Sequence, residues 1–323
     1  MPNAGRRSFL QHSAAGFTLA GLGPMARAQQ KTSVVLATAT PGGGFPVYGA
    51  AYAASINEAD PTLNIETRNT RGSAENIPGL EEGRFDLGLI QGESAHEAFA
   101  GIGRAPIKLK IVVAMYSSPG MFVVRADSPY RRIADLKGQP VAFGAAGSGL
   151  VILARYVLDG IGLSQDRDFK PIYLERAGDG PPMVKDGRVA ALWGGGSGWP
   201  GFTNMMSDPA GARFIAPGEE EIRAIRAKYD FLKRLIIPAG SYPKQAQDIV
   251  SVGSWSFVLT RPDLPDDLAY RLTRALHKGE AALGQRVPQA RESAVANIYG
   301  AAPSPEMIHP GVLRYLKEVG AAR

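Results

Sequence analysis

"SVVLATATPGGGFPVYGAAYAASIN", residues 33–57, holds an apolar run, three consecutive glycines, and a helical pattern that starts at Pro46 and is closed beyond Asn57 by Asp60 and Pro61. The apolar run reads as a strand, so the stretch is one strand–turn–helix unit. The same figure follows at once. "LNIETRN" (63–69) leads to a helix that Ser73 can cap and Gly83 ends, and "FDLGLIQ" (85–91) leads to "ESAHEAFAG". "LKIVVAMY" (109–116) supplies a fourth strand. Short apolar runs alternating with amphipathic segments specify an α/β architecture, and four such strands predict a parallel sheet covered by helices.

The rhythm restarts near Gly120 with "GMFVVRA", "PVAFGAA", a helix over Ser148 to Asp159, "FKPIYLE" and "VAALWGG". Two successive sheets imply two lobes. The tail, "SWSFVLT" followed by a long helical pattern from Asp263 to about Leu283, is placed to return to the first lobe.

The first 28 residues have the organisation of an export signal. "GRRSFLQ" supplies a basic start, "AAGFTLAGLGP" an apolar stretch and Ala26, Arg27 and Ala28 a small-residue cleavage site. Arg6 and Arg7 fit a twin-arginine signal, with a Sec signal as the alternative, and either implies a periplasmic protein. The apolar stretch is too short for a membrane anchor. Net charge is +6, or +3 once Arg6, Arg7 and Arg27 are set aside, too mild and scattered for nucleic acid. Cysteine is absent, which excludes disulfides, thiolate nucleophiles and Cys-based metal sites.

Enzyme motifs fail at required positions. After Gly44 come Phe45 and Pro46, where a P-loop needs Lys and Ser or Thr, and the second strand ends at Arg68 and Asn69, where a dinucleotide fold needs an acid. The sequence around Ser148 has Ala146 and Leu150 in place of the outer glycines of a nucleophile elbow, and that around Ser197 fails at Trp199. His96 and Glu97 begin like a zinc-protease helix, yet Ala100 stands where the second His is needed. Histidines at 12, 96, 277 and 309 leave little for a triad or a metal, so no catalytic residue, no metal and no cofactor are expected.

Three small-residue loops do feed helix N-termini: "TPGGGFPVYG", "TRGSAEN" and "GAAGSGL". Unpaired N–H groups and a partial positive charge at such termini suit an anion, although ordinary strand-to-helix turns are also rich in Gly and Ser. Arg71 and Arg176 could fork onto a carboxylate or lie on the surface. Trp193 and Trp199 flank the turn in "LWGGGSGWPG" (192–201), where they either cover a ligand at a cleft mouth or pack the lobe's edge.

The collinear order of "PGGGFPVYGAAYAASINE", "TRGSAENIPGLEEGRFDLGLIQGESAHEAFAG", "DLKGQPVAFGAAGSG", "IPAGSYPKQAQDIVSV" and "HPGVLRYLKEVG" resembles the TAXI family, the solute-binding receptors of TRAP transporters. The resemblance spans nearly the whole chain beyond the export segment. It implies a two-lobed periplasmic-binding-protein fold of type II with a ligand cleft between lobes: residues 29–121 with 255–323 as lobe I and 122–254 as lobe II. It implies a monomer that binds a small organic anion and passes it to TRAP membrane subunits. Receptors of ABC or tripartite tricarboxylate systems share that plan, and an exported enzyme on the scaffold is the remaining alternative.

Carried over residue by residue, the resemblance puts Gly43, Gly44, Tyr48, Ser73, Asn76, Gln91 and Ser94 on the cleft from lobe I. From lobe II, Gly147, Ser148 and Gly149 would present N–H groups and a hydroxyl to a carboxylate. Leu150 stands where the family usually has a polar residue, and Phe45 and Val47 make the first loop less polar. The expected ligand is therefore an organic anion with apolar or aromatic character, and not simply glutamate.

Overall fold

Two five-stranded sheets of the same topology carry the chain, and the computed structural model describes residues 31–323. The export segment lies outside the described residues. The first layer opens with β1 (Thr32–Ala37), α1 (Gly44–Ala59), β2 (Leu63–Arg68), α2 (Ser73–Glu81), β3 (Leu87–Ile90), α3 (Gly92–Ala100) and β4 (Lys110–Ser117). The second holds β5 (Gly120–Arg125), β6 (Pro140–Ala145), α4 (Gly149–Gly160), β7 (Lys170–Leu174), α5 (Gly180–Lys185), β8 (Ala191–Gly195), α6 (Pro200–Met206) and β9 (Ala212–Ile215). There follow α7 (Glu219–Lys228), β10 (Lys233–Ile237), β11 (Ile249–Gly253), β12 (Trp255–Thr260), α8 (Asp266–Arg286), α9 (Val295–Ala301) and α10 (Pro310–Glu318).

The first sheet has the order β2-β1-β3-β12-β4 and the second β7-β6-β8-β5-β9. In each, three parallel strands are followed by one antiparallel strand, which is the first to enter from the other layer. This corrects the expectation of a first sheet parallel throughout: β12 inserts between β3 and β4 and runs against both. A strand that arrives from the opposite layer enters at the end where the parallel strands finish, so it must run against them.

Strand periodicity fills the cores. In the second sheet Phe122, Val124, Val141, Phe143 and Trp193 pack on one face, while Met121, Val123, Ala142 and Leu192 pack on the other. Helix α1 is rich in alanine, which lets α8 approach closely: a Cβ added at Gly279 would lie 3.1 Å from the Ser55 carbonyl. Tyr48 and Tyr52, one turn apart on α1, are fully buried with ring centroids 5.9 Å apart.

The chain passes between the layers at two neighbouring places, from β4 to β5 and from β11 to β12. They are tied by a hydrogen bond from Ser118 N–H to the Ser254 carbonyl at 3.0 Å. Packing is so close here that a Cβ at Gly253 would fall 2.1 Å from the Ser118 carbonyl oxygen. All described residues belong to one compact unit, and no described helix is long and apolar enough to cross a membrane.

Candidate functional site

Parallel strands deliver their helices from one edge of a sheet, and here the two edges face each other. Four helix N-termini consequently meet around one cavity. Gly43 and Gly44 open α1, Gly72 and Ser73 open α2, Gln91 precedes α3, and Ser148 and Gly149 open α4; all seven line it. Three of these helices start without a side-chain cap, so part of their first-turn N–H complement is unsatisfied by side chains. Ser148 is the exception, its Oγ accepting the Leu150 N–H at 3.2 Å. The partial positive charge at each terminus sums over the enclosed space.

Among the described residues that line the cavity, Arg71 alone is charged and no carboxylate appears. Its apolar wall comes from Phe45, Leu150 and Trp199, and Tyr116, Ser118 and Gln289 add polar atoms. The space is small, about 50 Å3 open to the centre of a water molecule. Gln91 is 4% exposed; its Oε1 accepts from Ser256 Oγ at 3.3 Å, while its Nε2 has no partner. A buried amide with unmatched protons in the wall of a cavity is a donor that lacks an acceptor.

The layers touch on both sides of this space. Ala74 N–H donates to the Gly147 carbonyl at 3.2 Å, Ala177 N–H to Thr40 Oγ1 at 3.1 Å, and Gly178 N–H to the Pro41 carbonyl at 3.3 Å. Further out, Glu97 accepts from Arg155 and from Tyr156, and the His96 ring lies on Phe231 with centroids 3.8 Å apart. Gly72 is at φ +107°, and a Cβ there would also meet the Gly147 carbonyl oxygen at 2.9 Å, so glycine is required on both counts. The arrangement is a closed cleft.

Of the residues named from the sequence, Gly43, Gly44, Arg71, Ser73, Gln91, Ser148, Gly149 and Trp199 are brought together here. The others are not. Tyr48 is fully buried behind Tyr116, whose ring meets it edge-on at 5.3 Å. Asn76 braces the sheet: its Nδ2 donates to the carbonyls of Thr38 at 2.8 Å and Leu89 at 2.9 Å, joining β1 to β3. Ser94 is buried with its Oγ unpartnered, under Gly149 and outside the lining. Gly147 turns its carbonyl to Ala74 across the cleft instead of an N–H to the cavity.

Arg176 is occupied by Asp179 at 3.0 Å, outside the lining. Arg71 stays at the mouth, its side chain 83% exposed and its backbone N–H and Nε both directed to Glu75. Trp193 is no cleft residue: it is fully buried in the second layer, edge-on to Phe122 at 4.7 Å, with Nε1 donating to the Leu150 carbonyl at 2.9 Å. Ser73 does not cap α2, which begins from Gly72; its Oγ accepts the Gln91 N–H at 3.0 Å and so fixes the start of α3.

Sequence reasoning passed over Thr40, Tyr116, Ser118 and Gln289. Tyr116 and Ser118 sit at the end of β4, a position at which strand ends face a cleft. Gln289 comes from a short turn after α8 that carries no motif.

Residues 36–320 match the model of the NMT1-like family. Among solved structures, a TctC solute binding protein from Polaromonas matches at a TM-score of 0.52 and 16% identity, over 91% of this chain and 99% of that one. An ancestral arginine-binding protein bound to arginine matches at 0.52 and 13%, over 81% and 99%. A putative L-cystine ABC transporter protein from Listeria monocytogenes gives 0.51 and 13%, again over 81% and 99%. The likeness is one of fold, the two-lobed α/β plan of periplasmic binding proteins.

Proposed function

The chain belongs to the NMT1-like family, and on that premise we propose that it is an extracytoplasmic receptor that captures a small organic anion by hinge closure. It acts in the periplasm as a monomer and hands the anion to the membrane subunits of a TRAP-type transporter, as the TAXI resemblance implies. Lobe I is residues 29–121 with 255–323, and lobe II is residues 122–254. The observation that carries the reading is the donor set: four helix N-termini and the free Gln91 amide converge on a cavity with no carboxylate in its lining.

An anion in that space meets N–H groups from both lobes, so closure improves its binding, and binding favours closure. The carboxylate end sits against Ser73, Gln91, Ser148 and Gly149. Phe45, Leu150 and Trp199 receive a short apolar or aromatic tail, which favours such an anion over glutamate. An α-ammonium would find no carboxylate partner among these residues. Capture by a receptor of an ABC or tripartite tricarboxylate system would use the same contacts, and the TctC likeness in fold keeps that second reading in view. Against an enzyme stands the lining itself: hydroxyls are present, but His96, His277 and His309 are all outside it.

A thermal-shift screen of purified, ligand-free protein against amino acids, dicarboxylates, keto acids and aromatic acids tests the assignment. A ligand at a hundred times its dissociation constant adds about 2.7 kcal/mol, which raises the midpoint by roughly 5 °C at this size. A saturable shift with a carboxylate, recovered unchanged afterwards, is the expected result. Glutamate outperforming every less polar carboxylate overturns the tail assignment, and conversion of the ligand in proportion to protein overturns the receptor. Gln91→Leu should weaken the best carboxylate by about 1.5–3 kcal/mol, read by calorimetry, because a donor to a charged acceptor is lost. An unchanged affinity would take Gln91 out of the site.

A further inference from the structure

Under the cavity floor lies a buried polar network that also reaches both chain crossings. Ser118 Oγ and Ser256 Oγ are 3.4 Å apart, Ser256 Oγ donates to Gln91 Oε1, and the Gln91 side chain lies against the carboxyl of Glu93. Glu93 Oε1 in turn accepts from Ser254 Oγ at 2.6 Å, in the segment that links β11 to β12. Glu93 is fully buried, and among the described residues it forms no ion pair and its Oε2 has no partner. Two groups with unmet hydrogen-bonding capacity, Gln91 Nε2 and Glu93 Oε2, are therefore neighbours beneath the cavity, and Gln91 is part of its lining.

We propose that Glu93 is a positioning residue that couples ligand capture to the uptake of one proton. The proposal rests on the receptor reading. A neutral Glu93 leaves the Gln91 amide free for an oxygen of the anion, whereas an ionised Glu93 offers a charged acceptor that draws the amide away. An ionised Glu93 would also place a negative charge under the incoming anion, where water does not screen it. The bound state is thus the protonated one, and affinity falls as pH rises.

The surroundings of Glu93 favour the neutral form. Burial pushes its carboxyl up to about 7, against the opposing pull of the Ser254 hydroxyl, its own backbone and the adjacent Gln91 side chain. Glu97, one turn further along α3, raises it further, and is itself bonded to Arg155 of α4. His96 on α3 and Lys233 on β10 share a neighbouring groove with Ser254. Desolvation lowers the pKa of the His96 imidazole, against the opposing charges of Glu97 and Asp230. Ser118, Ser254 and Ser256, which complete the hydrogen-bonded network, do not titrate.

The side-chain amide resonances of Gln91, identified by their loss in Gln91→Leu, report the coupling without a ligand. They should titrate in one step near neutrality in the native protein and stay flat in Glu93→Gln. With acetate as the probe, the native dissociation constant should rise about tenfold per pH unit above that midpoint, while Glu93→Gln keeps a nearly constant value. A Gln91 signal that does not move across the neutral range overturns the inference, as does the same titration in Glu93→Gln, which would assign it to another group such as His96. Acetate binding with no pH dependence also overturns it and leaves the receptor intact. If Gln91 titrates but acetate and longer carboxylates all fail to bind, the receptor reading falls and takes the linkage with it.

Discussion

Gly149→Val should weaken carboxylate binding about a hundredfold while leaving the ligand-free protein nearly as stable as before. A Cβ added at Gly149 would lie 2.2 Å from Gln91 Cβ and 2.6 Å from Ser94 Oγ. Gln91 cannot retreat, since its N–H is held by Ser73 and its Oε1 by Ser256. The clash lies between the lobes, so it acts on the closed state and vanishes when the cleft opens. Overpacking of this kind costs roughly 1–3 kcal/mol, the upper end of which is the hundredfold, and valine adds two methyl groups to the alanine clash. Calorimetry of native, Gly149→Ala and Gly149→Val proteins should give a graded loss. Equal affinities in all three would mean that binding does not need closure at α4. A large fall in ligand-free stability would mean that the resting protein is already closed.

Trp193→Ala should have the opposite profile, with a stability loss of about 3–5 kcal/mol and little direct effect on ligand contact. Trp193 is among the largest fully buried side chains and packs edge-on against Phe122. It also fills the space over Gly120, where an added Cβ would come within 2.4 Å of the indole. Alanine leaves a cavity between β8, β5 and α4 and abandons the Leu150 carbonyl bonded to Nε1. Against a typical total of about 5–15 kcal/mol that is a large share. Urea unfolding should show a lower midpoint at unchanged slope, with Trp193→Phe intermediate. If Trp193→Ala instead keeps its midpoint and loses affinity, the tryptophan belongs to the ligand and not to the core.

The alternation of strands and helices was legible because each buried strand is a short continuous apolar run and each helix is bounded by Gly, Pro or Asp. Strand order was not, since nothing in "SWSFVLT" states which two strands it will separate or in which direction. Strands β9 and β10 were overlooked for a different reason: Arg213, Lys233 and Arg234 interrupt their apolar pattern at partly or fully exposed positions. The small residues before α1, α2 and α4 stand where close approach of the neighbouring layer demands them. Arg71 lies in the lining and Arg176 outside it, and the carboxylates that pair with them, Glu75 four residues after Arg71 and Asp179 three after Arg176, stood in plain view in the sequence. Tyr48 is buried with Tyr52, and the spacing of the two is that of a buried helix face.

The place of β12 between β3 and β4 governs the order in which this molecule can fold. Thr260 bonds to the carbonyl of Asp86, 174 residues earlier, so the first sheet stays split until that late strand arrives. The second sheet draws all five strands from the uninterrupted stretch 120–215 and has no such wait. Contacts of long sequence separation form slowly, and until then β3 and β4 expose unpaired edges that invite association. Pulse-labelled hydrogen exchange during refolding should find β6 and β8 protected before β3 and β12, and the reverse order would refute this sequence of events. The half of the protein made first is then the half finished last, and it is during that interval that the chain most needs protection from aggregation.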